Sequence, residues 1–218
     1  MPIPVLSHAL KFPDPRLADA QGLVAVGGDF SVDRLLLAYR SGIFPWTVSP
    51  ISWWSPDPRA ILEWDNLHIG ESLGKVLRKK SFQVTIDKAF AQVITHCAAS
   101  APGRADTWIT GEFIAAYTRL HERGHAHSLE CWRHGELAGG IYGVAAGGLF
   151  AGESMFHRAS NASKVALVYL VEHLRQRNFQ LLDIQMLTPV TKQMGGTTIS
   201  REEYLSRLNE AVKMKCVF

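Results

Sequence analysis

Apolar positions first fall into helical spacing after Ser31, where Leu35, Leu36 and Tyr39 share a face that the serine opens as N-cap and Gly42 closes. Before and after this helix, up to about Trp64, prolines at 13, 15, 45, 50, 56 and 58 interrupt every run, predicting a small, loop-rich lobe over residues 1–62. From Glu71 the punctuation becomes regular. A helix with a basic face precedes a strand at 82–86, and Asp87 reads as the cap of a helix burying Ala89, Phe90, Val93, Ile94 and Cys97. A further helix opens near Thr110, presents Phe113, Ile114, Tyr117 and Leu120, and ends at Gly124. Strands at 128–133, 137–144 and 149–154, joined at His134-Gly135 and Gly147-Gly148, form an antiparallel meander. A long helix over 162–177 buries Leu167, Leu170, Val171 and Leu174, and the short apolar run 179–184 reads as a buried strand. Thr188-Pro189 starts a short helix, and Ser200-Arg201-Glu202-Glu203 reads as a capping box opening a last helix with Tyr204, Leu205 and Leu208 on one side.

This order of elements over 63–218 predicts an α+β domain with a mixed sheet, like the acyl-CoA N-acetyltransferase fold, preceded by the N-terminal lobe. Likeness of fold says little about substrate. The chain's 218 residues, 47% hydrophobic and 20% charged, are those of a globular protein able to bury a full core. The longest uncharged stretch, 137–152, is rich in glycine and shorter than the roughly 20 apolar residues a membrane span needs. The first residues lack a basic and an apolar segment of signal type, so the expected compartment is the cytoplasm, without membrane attachment. Cys97, Cys131 and Cys216, odd in number and widely spaced, suit reduced thiols.

A net charge of +3 excludes a wholesale nucleic-acid coat, and DNA is not an expected partner. One local basic patch stands out at Lys75, Arg78, Lys79 and Lys80, the first three sharing a helical face. A solvated helix face is the plain alternative. The string His121-Glu122-Arg123-Gly124-His125 superficially resembles a zinc motif, but Gly124 breaks the helix that would bring both imidazoles to one side, so no metal is expected. Where an acetyltransferase carries a glycine turn for the pyrophosphate, this chain reads Arg158-Ala159-Ser160-Asn161-Ala162-Ser163, which disfavours coenzyme A. No cofactor is expected.

Two carboxylates sit at the ends of apolar strands, Glu153 in Gly152-Glu153-Ser154-Met155-Phe156 and Asp183 in Asp183-Ile184-Gln185. Buried there, each must be hydrogen-bonded, paired or functional. Trp46, Trp53, Trp54 and Trp108 offer flat faces able to stack a base, and Tyr39 and Tyr117 add rings with polar tips; core packing is the alternative for each.

Taken together, Gly22-Leu23-Val24-Ala25-Val26-Gly27-Gly28-Asp29, Gly42-Ile43-Phe44-Pro45-Trp46, Trp53-Trp54-Ser55-Pro56-Asp57-Pro58-Arg59, Thr107-Trp108-Ile109-Thr110, Gly124-His125-Ala126-His127-Ser128, Gly152–Phe156 and Asn161-Ala162-Ser163-Lys164 resemble, in order, the leucyl/phenylalanyl-tRNA protein transferases. The resemblance spans nearly the whole chain. It implies an aminoacyltransferase that moves Leu or Phe, less often Met, from aminoacyl-tRNA to the N-terminal Arg or Lys of a protein, marking it for N-degron proteolysis. It also implies roles. Asp183 receives or orients the amine, Gln185 completes the hydrogen-bond path, and Glu153 holds the cationic acceptor. Ile141, Phe150, Met155, Leu167, Leu170 and Leu182 line an apolar pocket for the donor side chain. Trp46, Trp108, Tyr39 and Tyr117 receive the terminal adenosine and its neighbours, and the basic helix meets the tRNA acceptor stem. A coenzyme A-dependent N-acyltransferase, or a non-enzymatic RNA- or peptide-binding module on the same fold, are the competing readings.

Overall fold

The computed structural model describes residues 2–99 and 107–218. Its N-terminal part is more ordered than a loop-rich lobe. Strands β1 (Val5–Leu6), β2 (Leu23–Gly27), β3 (Phe44–Val48) and β4 (Ile51–Trp54) form a four-stranded sheet in the order β1-β2-β4-β3, with helix α1 (Val32–Arg40) packed beside it. These strands are two to five residues long and carry Pro45 and tryptophans, so alternation never runs far enough to announce them. The Ser31 side chain caps α1 as its sequence implies.

The larger sheet has seven strands in the order β11-β5-β10-β9-β8-β7-β6. They are β5 (Arg59–Ile61), β6 (Gln83–Ile86), β7 (Ala126–Arg133), β8 (Glu136–Ala146), β9 (Leu149–His157), β10 (Leu181–Gln185) and β11 (Thr197–Ile199). β7 to β9 make the expected antiparallel meander, β6 adds to its edge antiparallel to β7, β10 joins β9 in parallel, and β5 and β11 extend the sheet antiparallel, so the sheet is mixed. β5 lies before residue 62 in sequence yet pairs in this sheet, a contribution its three residues did not signal.

Helices α2 (Glu71–Arg78), α3 (Phe90–Ala98), α4 (Gly111–Glu122), α5 (Ala162–Gln176), α6 (Pro189–Gln193) and α7 (Arg201–Ala211) complete the α+β fold. Two apolar cores result. One gathers α1, α3, α4 and α7 around Trp53, Tyr39, Tyr117 and Tyr204. The other packs α5 on the opposite face around Ile141, Phe150, Leu167, Leu170 and Leu182.

Asp87 is not the cap of α3. It has a left-handed φ of 55°, and its carboxylate accepts from the Ser128 N–H (2.8 Å) and His127 Nδ1 (2.7 Å), tying the end of β6 to β7. The open α3 terminus is met from the sheet instead. Buried Glu130 accepts from the N–H groups of Lys88 and Ala89, both at 3.4 Å. At α7 the Ser200 side chain accepts from the Glu203 N–H as expected, whereas the reciprocal box forms at α6, between Thr188 and Thr191. Among the described residues no helix is long and apolar enough to cross a membrane.

Candidate active site

Two register shifts build the site. Between β8 and β9, Tyr142 pairs with Ser154 and Gly143 with Gly152, which leaves Glu153 as the extra residue of a bulge. Between β10 and β5, Asp183 pairs with Ile61 and Gln185 with Ala60, which leaves Ile184 unpaired. A bulge turns a side chain out of strict alternation. Here both flank the same spot, and Gln185 adds a left-handed φ of 60°, uncommon for a residue with a Cβ.

The Glu153 carboxylate is held by three donors. Tyr39 donates its hydroxyl to Oε1 (2.8 Å), Gln185 Nε2 donates to the same oxygen (2.7 Å), and Tyr117 donates to Oε2 (3.3 Å); the two phenols also touch each other. Burial, reinforced by Glu153, holds both phenols well above their ordinary range, so they remain donors. Burial, with the Asp183 charge adding to it, pushes the Glu153 carboxyl up to about 7, even though the three donors pull the other way.

Asp183 stands one layer behind. Arg59 grips it in a fork, Nε on Oδ1 (2.9 Å) and Nη2 on Oδ2 (2.6 Å), Tyr204 donates to Oδ2 (2.8 Å), and the Gln185 N–H donates to Oδ1 (2.8 Å). Asp183 is 0% exposed and Arg59 1%. The guanidinium also donates to the Gly42 carbonyl (3.1 Å) and lies over the rings of Phe44 and Tyr204. Burial works against its charge, but Asp183 outweighs that and raises its pKa.

In front of Glu153 and Gln185 opens a cavity of about 580 Å³, lined also by Phe44, Pro45, Trp46, Trp108, Ile141, Gly152, Ser154, Met155, Leu167, Ile184, Met186, Thr188, Val190 and Thr191. Seven sequence-predicted residues meet there: Trp46, Trp108, Ile141, Glu153, Met155, Leu167 and Gln185. Tyr39 and Tyr117 reach it only through Glu153. Phe150, Leu170 and Leu182, expected to line the donor pocket, are instead fully packed in the α5 core beneath it. Trp53 is core as well, its indole donating to the Gly27 carbonyl. Lys75, Arg78, Lys79 and Lys80 are exposed on and just after α2, away from the cavity lining, and Lys75 pairs with Glu71 at 2.7 Å. The α6 residues, Arg59 and Tyr204 escaped sequence reasoning. For Arg59 a faint signal existed, a cation inside the Pro56-Asp57-Pro58-Arg59 string beside apolar Ala60-Ile61.

A cavity with one aromatic side, one aliphatic side and a carboxylate–amide pair between them suits acyl transfer to an amine. Comparison with known proteins narrows the chemistry. The family model described as leucyl/phenylalanyl-tRNA protein transferase matches residues 61–209, and that of its N-terminal domain matches 28–57. A leucyl/phenylalanyl-tRNA–protein transferase of Syntrophobacter fumaroxidans is 53% identical over 97% of this chain and 92% of its own, and one of Pseudomonas syringae is 52% identical over 92% and 90%. Among solved structures, L-PGS from Bacillus licheniformis gives a TM-score of 0.42 at 11% identity over 71% of this chain and 50% of its own. A GCN5-related N-acetyltransferase from Kribbella flavida gives 0.41 at 9% over 75% and 59%. By sequence match along nearly its full length, the chain belongs to the leucyl/phenylalanyl-tRNA protein transferase family.

Proposed function

We propose that this protein transfers Leu or Phe, and less often Met, from aminoacyl-tRNA to the N-terminal Arg or Lys of acceptor proteins in the cytoplasm, forming the peptide bond that marks them for N-degron proteolysis. The observation that carries it is the Glu153–Gln185 pair facing a cavity with aromatic residues on one side and aliphatic ones on the other. Trp46 and Trp108 take the terminal adenosine by stacking. Ile141, Met155 and Leu167 take the donor side chain, with Phe150, Leu170 and Leu182 backing them. Lys75, Arg78, Lys79 and Lys80 meet acceptor-stem phosphates.

The reaction needs a neutral amine, whereas a protein α-ammonium titrates near 7.7–8.0. Glu153 draws the cationic acceptor in, and a carboxylate titrating near neutrality is suited to take the ammonium proton. The amine then attacks the ester carbonyl; the C–N bond forms, the C–O bond to the terminal ribose breaks, and the ribose oxygen leaves with a proton. Because the ester is already activated, holding the partners in register supplies much of the acceleration. Asp183, with its oxygens committed to Arg59, Tyr204 and the Gln185 N–H, orients Gln185 rather than accepting the proton. The working division is an N-terminal lobe and a catalytic domain, with the boundary set just before β5 rather than at 62, because β5 pairs in the larger sheet. It is supported by the family models' boundary between 57 and 61.

The test is transfer of labelled Phe or Leu from charged tRNA to a protein beginning in Arg. Wild type labels the acceptor and Gln185→Ala falls by roughly 10²-fold or more, the range of a lost positioned group. Failure of folded wild type to label that acceptor with either amino acid would overturn the proposal.

A further inference from the structure

We propose that α6, through Val190 and Thr191, is the specificity-determining wall of the donor side-chain pocket, limiting how large an apolar side chain the enzyme accepts. This deepens the aminoacyl-transfer reading above and rests on it. The two cores divide the cavity. Phe44, Trp46 and Trp108 belong to the core of α1, α3, α4 and α7, while Ile141, Leu167, Met155, Ile184 and Val190 belong to the core of α5. The aliphatic half is therefore floored by β8, β9 and α5, and α6 provides its remaining side. α6 is moored next to α5, because Lys164, one turn before Leu167, donates to Gln193 Oε1 at 2.7 Å.

A wall sets specificity only if it does not give way: α6 is stiffened at its start by its own capping box and tied at its end to residues 66–68, where the His68 N–H donates to the Met194 carbonyl at 2.9 Å. At its start, Thr188 N–H donates to Thr191 Oγ1 (2.9 Å) and Thr191 N–H to Thr188 Oγ1 (3.1 Å). At its end, Gly195 turns with φ 98° so tightly that a Cβ there would sit 1.8 Å from the Asn66 carbonyl oxygen. The box also uses up the polar groups of both threonines, so α6 meets the donor as an apolar surface, and a polar side chain would lose its water there without a new partner. Val190 and Thr191 are β-branched and stiff, which sharpens the limit on size. A methylene more or less in such a pocket changes the rate ratio between substrates by roughly 10- to 200-fold.

Competition between Leu-tRNA and Phe-tRNA for one Arg-initiated acceptor tests this directly, read as the ratio of kcat/KM values. Val190→Ala is expected to raise the Phe:Leu ratio roughly tenfold, and Val190→Phe to lower it by at least as much while Leu transfer persists. Thr191→Ser keeps the box hydroxyl and removes only a methyl, so it must move the ratio in the same direction as Val190→Ala. Ratios within about twofold of wild type in folded Val190→Ala and Thr191→Ser would overturn the wall, as would equal loss of Leu and Phe transfer in folded Val190→Phe. Wild type that transfers neither amino acid is a different result, and it removes the transferase reading beneath.

Discussion

Asp183 has no exposed surface, and its charge is tolerated because Arg59, Tyr204 and the Gln185 N–H meet it. Removing the cation leaves a buried carboxylate without its counter-charge, so Arg59→Met is expected to lower unfolding free energy by about 3–5 kcal/mol. Tyr204→Phe, which takes away one donor, should cost about 1–3 kcal/mol; urea midpoints check both. Glu153 behaves differently, because its folded pKa is raised. Its protonated form is favoured in the folded protein, so its stabilisation is complete below the ordinary carboxylate range and is lost as pH rises through about 7. Glu153→Gln should therefore flatten the stability profile between about pH 4.5 and 7, as seen by thermal melts across that range. If the carboxylate is the proton acceptor, wild-type kcat/KM rises with pH through about 7 and the variant loses that rise. Glu153, Asp183 and Gln185 were legible in sequence because a charge or amide at the end of an apolar strand is conspicuous. Arg59 and Tyr204 were not, since their shared partner lies 124 and 21 residues away and nothing local betrays the pairing.

At the scale of elements, the bulge that turns out Glu153 depends on Gly143. A Cβ there would lie 2.3 Å from the Ala151 carbonyl oxygen and 2.4 Å from the Phe150 ring, contacts that backbone and a packed aromatic cannot relieve. Gly143→Ala is expected to destabilise by about 1–3 kcal/mol, the cost of overpacking, and to lose activity beyond that because Glu153 moves; paired melting and transfer assays separate the two. The meander, α5 and both terminal caps were readable from periodicity and turn residues. The small sheet, β5 and β11 were not, because strands of two to five residues stabilised by distant partners carry too little alternation. Asp87 misled for a related reason. Its residue type fits a cap, but a left-handed backbone aims it at His127 and Ser128.

For the whole molecule, a net charge of only +3 means that affinity for tRNA must come from where the charge is rather than how much there is. If α2 is the acceptor-stem contact, replacing Arg78 and Lys79 with Glu should weaken charged-tRNA binding and make the salt dependence shallower by about one per lost phosphate contact. Donor choice between Leu and Phe should not change, because α2 contributes nothing to the cavity lining. Titrating binding against salt, beside the competition assay, measures both.

The Arg59 guanidinium joins β5, β10, the turn after α1 and, through Tyr204, α7. Gly42 and Tyr204 thus both brace the Arg59–Asp183 pair that holds the Gln185 N–H. During synthesis the polypeptide emerges from its N-terminus, so the cavity's aromatic residues, complete by Trp108, are made well before Gln185 and α7. The brace on Gln185 is therefore expected to be complete only when α7 has been made and has packed against Arg59 and Asp183.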